Sequence, residues 1–249
     1  MTGRARALAL AVVGTLLLIA AWEAIGRGRL AGAGWPPLTA VVDYADQPQI
    51  RDLLLRSLSA TAASALSGLV AGALAALLLA VLGVLLPVLQ PGLDRLVTVI
   101  NALPLIALGP LFVSTVGSDG TATVVAALAS GFAVFVAATA GLAAAPRVHR
   151  DLLTTLGAGR RRQLRHLQLP YAVPLLLDGL AQAAPAAVLG AVIGEWFGAD
   201  RGLGVLLVGA MQNVQTELLW SAGLVTTLLS LLAYAVVGAC RTAVHGRFL

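Results

Sequence analysis

The sequence predicts an all-α integral membrane protein. Of its 249 residues, 59% are apolar and only 11% are charged, whereas soluble domains carry about 25% charged residues. The mean hydropathy is +0.93, and apolar stretches of about 20 residues, the length that crosses a bilayer as a helix, recur along the chain. These observations exclude a soluble globular protein, a disordered chain and a fibrous protein.

Six membrane spans are predicted, and the first two differ in character. The first apolar stretch, residues 8–25, follows two arginines, a pattern shared with cleaved signal peptides. Trp22 and Glu23 come near its end and no cleavage site of small residues is clear, so a retained helix is favoured. The second span, residues 58–86, is rich in Ala, Gly and Ser, which suits close contact between helices, and prolines end it.

The remaining four spans are predicted at residues 96–116, 121–145, 172–197 and 218–239. A tight turn at 117–120 separates the first two of these. Residues 146–170 form the one long, strongly polar segment. We therefore divide the chain into an N-terminal helix with its external loop, residues 1–57, and a core of five spans, residues 58–249.

The basic residues restrict both function and topology. All 16 are arginine, and the absence of lysine excludes a phosphate-loop lysine, a Schiff-base lysine and a Ser/Lys dyad. ATP hydrolysis that drives this protein must therefore occur on another chain. The isoelectric point near 10.6 reflects arginines beside membrane spans, so we predict no nucleic-acid binding. With the N-terminus inside, eleven arginines fall on the cytoplasmic side and five outside, which predicts that both termini are cytoplasmic.

Neither a metal site nor a catalytic centre is predicted. The single cysteine, Cys240, excludes an internal disulfide and a site with several cysteine ligands. The three histidines lie in cytoplasmic segments without carboxylates at ligand spacing, so we expect no metal and no cofactor. The predicted spans hold no Ser/His/Asp arrangement and no carboxylate pair, so the chain is not predicted to be an enzyme.

The polar segment 146–170 begins with a predicted amphipathic helix. Asp151 is expected near its start, where a carboxylate complements the helix dipole. Leu152, Leu153 and Leu156 form one apolar face of this helix.

A glycine break at Gly157 and Gly159 precedes a second short helix, which carries Leu164 and Leu167 and is ended by Pro170. Such a helix pair at the inner membrane surface can dock on a soluble partner. An arginine-rich loop bound to anionic lipid headgroups is the alternative, and composition alone does not separate the two.

The spacing in this segment resembles the E-A-A-x3-G-x9-I-x-L-P signature of binding-protein-dependent ABC importer permeases. The positions that correspond to the signature are Asp151, Leu152 and Leu153 for E-A-A, Gly157, Leu167 for isoleucine, and Leu169 and Pro170. The first triplet is degenerate, while the spacing from glycine to proline is intact. In that family the loop is the coupling helix, which fits a groove on the ATPase subunit.

A second segment, Gly194 to Gly204, begins at the end of the fifth span and continues beyond it. It resembles the E-x-x-G-A-x-x-G-L-G segment of permeases for nitrate, sulfonate, taurine and a thiamine precursor. The resemblance implies the six-helix type I permease fold in a bacterial inner membrane. It also implies a second permease copy, two ABC ATPase subunits and a periplasmic or lipid-anchored substrate-binding protein that delivers a small anionic or zwitterionic solute.

Three polar residues in the spans are candidates for the transport pathway. Asn101 and Gln182 are uncharged amides within apolar stretches, and each either lines the pathway or pins neighbouring helices. Glu195 is an ionisable group beside Trp196, a residue typical of the membrane interface, so we expect a solvated carboxylate that orders a loop or gates the substrate. Asp178 is expected to pair with an arginine of the polar segment.

A self-sufficient secondary transporter or a polytopic membrane enzyme is the alternative from another class. Either would need proton-relay or catalytic groups inside the spans. The sequence offers few such groups, and adjacent reading frames for an ATPase and a binding protein would separate the two possibilities.

Overall fold

The structure, a computed structural model, describes residues 3–248 of the chain. Its regular elements there are ten α-helices and one π-helical turn. In chain order they are α1 (Gly3–Arg27), α2 (Leu38–Ala45), α3 (Pro48–Leu85), α4 (Gln90–Ala102), α5 (Leu105–Ala143), α6 (Arg147–Thr155), α7 (Arg160–Gln163), the π-helical turn (Leu164–Gln168), α8 (Leu169–Glu195), α9 (Leu203–Gln212) and α10 (Thr216–Phe248).

Five of these segments are long and apolar enough to cross a membrane, which confirms the all-α membrane class. They are Arg6–Arg27, Pro48–Leu85, Leu105–Ala143, Arg160–Glu195 and Thr216–Thr242. The predicted count of six is not confirmed, because the predicted third span is divided between α4 and the start of α5. Leu103 and Pro104 adopt extended backbone there, since a residue before proline is disfavoured in the helical region.

Gly117 marks a second interruption, inside α5. Its backbone has φ +78° and ψ 171°, which is not helical. The turn predicted at 117–120 therefore exists as a break within one long helix rather than as a separate loop. Glycine occupies this position because residues with a Cβ avoid such a conformation.

The helix ends lie at two sides of the molecule. At the first side, which we call the arginine end, the end of α3 meets α7, and Arg160 Nη1 donates to the carbonyl of Leu85 over 3.2 Å. At the opposite side, the far end, α10 begins beside the loop after α1, and Trp220 Nε1 donates to the carbonyl of Gly34 over 2.9 Å. The predicted coupling loop therefore lies at the arginine end, and the segment that follows α8 lies at the far end.

The core is built from small residues, with α5 packed against both α3 and α8. A Cβ at Gly72 of α3 would lie 2.8 Å from Ser130 Oγ of α5. Likewise, a Cβ at Gly190 of α8 would lie 2.8 Å from Ala126 Cα of α5. Helices that approach this closely gain dispersion contacts without large side chains. The close contact predicted from the Ala, Gly and Ser content of the second span is confirmed.

The N-terminal helix α1 is attached at the far end through a cluster of three tryptophans. The ring centroids of Trp22 and Trp220, and those of Trp35 and Trp220, are 4.7 Å apart, and Trp22 and Trp35 are 5.3 Å apart. Trp22 Nε1 also donates to the carbonyl of Pro36 over 3.1 Å. The predicted division between residues 57 and 58 falls inside α3.

Candidate functional site

The polar segment folds as a helical hairpin at the arginine end. Helices α6 and α7 form its two arms, and we call residues 146–163 the docking hairpin. Gln163 Nε2 closes it by donating to Thr154 Oγ1 and to the carbonyl of Ala158, both over 3.0 Å. The hairpin is also tied to α3 through the bond from Arg160 to Leu85. This arrangement matches the predicted order of helix, glycine and helix.

Two details predicted for this segment are wrong. Helix α6 begins at Arg147, directly after Pro146, so Asp151 lies in the middle of the helix rather than near its start. Pro170 does not end a helix, because it lies in the first turn of α8 directly after the π-helical turn. The helical segment Arg160–Glu195 runs through this proline, and the π-helical turn Leu164–Gln168 directly before it interrupts the regular hydrogen-bond pattern.

The leucines of the signature divide into exposed and buried groups. Leu152 and Leu156 are 56% and 70% exposed on the docking hairpin, and Leu153 is half-buried beside them. Leu167 is buried at 7% exposure within the protein core. The exposed leucines of the docking hairpin are therefore open to a partner protein or to lipid headgroups, the two alternatives for this segment. Leu169 is half-buried, while Asp151 and Pro170 are exposed.

The two glycines of the hairpin have different backbones. Gly157 has φ +75°, in the left-handed region, and no atom lies within 4 Å of the position that a Cβ would take. Gly159 has φ −68° and ψ 168°, which any residue adopts. Of the two, only Gly157 has a backbone conformation that favours glycine, and the reason is its positive φ rather than a lack of space.

The two amide candidates lie on one side of the molecule. Asn101 lines a cavity of 330 Å³ between α3, α4 and α5, and Gln182 lines one of 400 Å³ between α5 and α8. Phe132 of α5 lines both cavities. Both amides are exposed. We call this side, with its two cavities, the open face.

Asp178 lines the same cavity as Gln182 but pairs with an unexpected residue. Its Oδ1 lies 2.6 Å from Arg241 Nε of α10, and both side chains are about half exposed. The predicted partner was an arginine of the polar segment. The pair forms with α10 instead because α10 packs against α8, the helix that carries Asp178.

Glu195 differs most from its prediction. It is only 2% exposed, so the expectation of a solvated carboxylate at the interface is wrong. Its Oε2 accepts hydrogen bonds from Thr61 Oγ1 over 3.0 Å and from the N–H of Gly204 over 2.8 Å. Thr61 Oγ1 in turn accepts from the N–H of Leu203 over 2.8 Å. The carboxylate thus joins the end of α8 to α3 and to the first turn of α9.

The glycines of the second signature make room for this carboxylate. Gly202 has φ +147°, and a Cβ there would overlap the carboxyl group of Glu195. A Cβ at Gly204 would overlap the carbonyl oxygen of Val192. Sequence reasoning missed Thr61, which lies 134 positions before Glu195. The spacing from Glu195 to the Gly-Leu-Gly triplet is the one signal in the sequence for this cluster.

Comparisons with known proteins agree with this architecture. Residues 68–248 match the family model described as "Binding-protein-dependent transport system inner membrane component". The formylaminopyrimidine transport permease protein ThiX of Halalkalibacterium halodurans is 29% identical over 89% of each chain. The riboflavin transport system permease protein RibX of Chloroflexus aurantiacus is 34% identical over 75% of this chain and 70% of its own length.

A shorter match and a solved structure complete the comparison. A probable ABC transporter permease protein of Haemophilus influenzae is 34% identical over 56% of this chain and 57% of its own length. A chain of the MetNI methionine ABC transporter, in an inward-facing conformation, superimposes with a TM-score of 0.68 at 18% identity, covering 80% of this chain and 99% of that one. The chain belongs to the family of inner-membrane components of binding-protein-dependent transport systems and is an ABC transporter permease.

Proposed function

We propose that this chain translocates a small solute delivered by a binding protein, and that ATP hydrolysis on separate subunits drives the movement. The observation that carries the proposal is the docking hairpin, which presents Leu152 and Leu156 to solvent at the arginine end. The sequence has no lysine for a phosphate-binding loop, so the energy must come from a partner. Two ATPase subunits, one per permease copy, would receive the two hairpins.

A second copy of the chain completes the pathway in this proposal. The open face carries the two cavities and the exposed amides Asn101 and Gln182. A pathway between two copies would be lined by apolar side chains and a few hydrogen-bonding groups, which is the usual composition of a small-molecule site. Glu195 is not part of this lining, since its carboxylate is buried at the far end.

The proposed solutes are small molecules of the kinds named for related permeases. Relatives are named for formylaminopyrimidine, for riboflavin and, in Bacillus subtilis, for aliphatic sulfonates. We therefore propose either a heterocycle related to a thiamine precursor or a small anion of the nitrate, sulfonate or taurine type. The periplasmic or lipid-anchored binding protein selects among them, and the permease supplies the passage.

The proposed orientation places the arginine end in the cytoplasm. Six arginines between residues 147 and 165 lie in or beside the docking hairpin, and cytoplasmic loops carry the excess of arginine. We expect a reporter fused at Arg160 to give a cytoplasmic signal and one fused at Gly204 to give an external signal. A cytoplasmic signal at Gly204 together with an external one at Arg160 would reverse the orientation and remove the docking hairpin from reach of an ATPase.

The substitution Leu156→Ser tests the docking surface. Leu156 is 70% exposed, and truncating an apolar contact in the centre of an interface costs about 1–2 kcal/mol, or roughly tenfold in affinity. We expect Leu156→Ser to lower recovery of the ATPase with the purified permease by about that factor. ATP-dependent uptake should fall with it, while the permease level in the membrane stays the same.

The matched control for this substitution is Val88→Ser. Val88 is 92% exposed at the same end of the molecule but lies between α3 and α4, outside the docking hairpin. We expect this control to recover the ATPase normally. Equal losses of ATPase recovery in both variants would show that any polar substitution at this end of the molecule weakens binding. No loss in either variant would contradict docking through the hairpin.

A further inference from the structure

The start of α9 is held by tertiary contacts rather than by its own cap. Gly202 precedes the helix and has no side chain to accept a bond from the first turn. The N–H groups of Leu203 and Gly204 donate instead to Thr61 Oγ1 and Glu195 Oε2, each over 2.8 Å. The first N–H groups of a helix need such acceptors when they are buried. We call Thr61, Glu195 and these two N–H groups the far-end latch.

The latch joins three segments that are distant in sequence. Thr61 belongs to α3, Glu195 ends α8, and Leu203 begins α9. All three side chains are 2% exposed or less. Helix α9 has 10 residues, or about 15 Å of length, which is half of what a bilayer requires. Leu203 and Gly204 in its first turn are buried, and so is Ala210 near its end, whereas Met211 and Gln212 are exposed. The side-chain acceptors from α3 and α8 all reach its first turn.

A carboxylate is an unfavourable choice if the only requirement is packing. Within the described part of the chain, Glu195 Oε1 is buried and has no hydrogen-bond partner, while Oε2 has two. Burying such a group costs stability, and an apolar side chain of similar size would avoid that cost. The acceptor at Oε2 fixes the N–H of Gly204 directly and orients the hydroxyl of Thr61, which accepts the N–H of Leu203. An apolar side chain can do neither.

We propose that Thr61 and Glu195 are positioning residues that keep the start of α9 fixed to α3 and α8, so that the three segments move as one unit when the external end of the pathway opens and closes. This inference rests on the proposed function for its meaning in transport. The hydroxyl of Thr61 and the acceptor oxygen of Glu195 hold the start of α9, and this attachment can be measured without knowing the solute.

The first test compares Thr61→Val with Thr61→Ser. Valine has the shape of threonine without the hydroxyl, whereas serine keeps the hydroxyl. A reporter thiol is placed at Ala210, which is 1% exposed on α9, in a chain whose exposed Cys240 is replaced by serine. With the full chain in membranes, we expect Thr61→Val to raise the rate of labelling by an impermeant maleimide at least tenfold and Thr61→Ser to leave it within twofold.

Uptake is measured on the same variants without the reporter, in vesicles that hold the permease with its ATPase and binding protein. Thr61→Val should lower ATP-dependent uptake at least tenfold while recovery of the ATPase stays unchanged, and Thr61→Ser should restore uptake. Glu195→Gln keeps an acceptor for the N–H of Gly204 and should retain uptake within twofold. A fall in melting temperature and ATPase recovery with unchanged labelling would show a merely structural contact and overturn the proposal.

A disulfide gives an independent test that does not depend on the valine variant. The 2.8 Å bond between Thr61 Oγ1 and the N–H of Leu203 brings α3 and α9 close enough to attempt a disulfide between these positions. The reduced Thr61→Cys, Leu203→Cys chain, again without Cys240, lacks the hydroxyl of Thr61, so oxidation, which ties α3 to α9 again, should leave uptake equal to or higher than that of the reduced form. Loss of uptake on oxidation that returns on reduction would show that α3 and α9 separate during transport, and would overturn the proposal.

The two proposals fail in different ways. If the chain is not the permease of an ATP-driven importer, vesicles that hold the unsubstituted chain show no ATP-dependent uptake. The difference in labelling rate between Thr61→Val and Thr61→Ser persists in that case. If the proposed role of the far-end latch is wrong, vesicles that hold the unsubstituted chain transport normally, and the labelling rates of Thr61→Val and Thr61→Ser are equal.

Discussion

Gly157→Val is expected to abolish ATP-dependent uptake and to prevent recovery of the ATPase with the permease. Gly157 has φ +75°, a conformation that costs an ordinary residue about 1–2 kcal/mol and is least tolerated by β-branched side chains. The surrounding space is empty, so no collision opposes the valine. The hairpin relieves the strain by changing its backbone, and Leu152 and Leu156 then lose their positions. Uptake and pull-down, measured on membranes with equal permease levels, check this result.

Two controls separate backbone strain from a general effect of substitution in the loop. Gly157→Asn introduces a side chain that tolerates the left-handed region, so we expect it to retain most uptake. Gly159→Ala should be nearly neutral, since Gly159 has φ −68°. If the hairpin were only an arginine-rich anchor on lipid headgroups, Gly157→Val would bind the ATPase and transport as well as both controls.

Gln182→Leu is expected to lower solute flux about fivefold, because one hydrogen bond contributes about 1 kcal/mol and about 1.4 kcal/mol corresponds to a factor of ten. Gln182 is exposed on α8 and lines the 400 Å³ cavity beside Phe132. Leucine fills similar space but offers no hydrogen bond to a polar solute. ATPase recovery should not change, because the residue lies away from the docking hairpin.

Asparagine at the same position is the matched control for the pathway prediction. Gln182→Asn keeps the amide on a shorter side chain, and we expect a flux between those of the unsubstituted and leucine chains. The melting temperature of each purified variant is measured alongside. Normal flux with Gln182→Leu, or a loss of flux that follows a loss of stability, would assign Gln182 to helix packing instead.

Local patterns predicted the membrane class, the docking hairpin and the close approach of α3 to its neighbours. Each of these depends on residues that are near one another in sequence: apolar stretches, the spacing between Gly157 and Pro170, and the glycines and alanines of α3. The hydropathy pattern predicted one span over residues 96–116 and did not show the break at Leu103 and Pro104. That break depends on how a proline restricts the residue before it, and it divides what the hydropathy presented as one span.

Pairings between distant segments could not be predicted in the same way. From the sequence, several arginines of the polar segment were possible partners of Asp178. In the structure α10 packs on α8, and the partner is Arg241. Leu152 and Leu167 both stand at signature positions, yet one is exposed and the other is in the core. Burial depends on which segments cover a side chain, and the local pattern does not contain that information.

The sequence by itself determined that this protein is a bundle of membrane helices, that it has no lysine for a phosphate-binding loop, and that residues 146–170 are its main polar segment. Composition, the missing lysine and short-range spacing suffice for these conclusions, because each reports on the solvent or on neighbouring residues. Only the tertiary structure decided the surroundings of Glu195. The sequence suggested a solvated carboxylate beside Trp196, whereas the fold brings Thr61 and the first turn of α9 to it and removes water. A buried polar group must find its partners within the protein, and those partners are set by the fold and not by the order of residues.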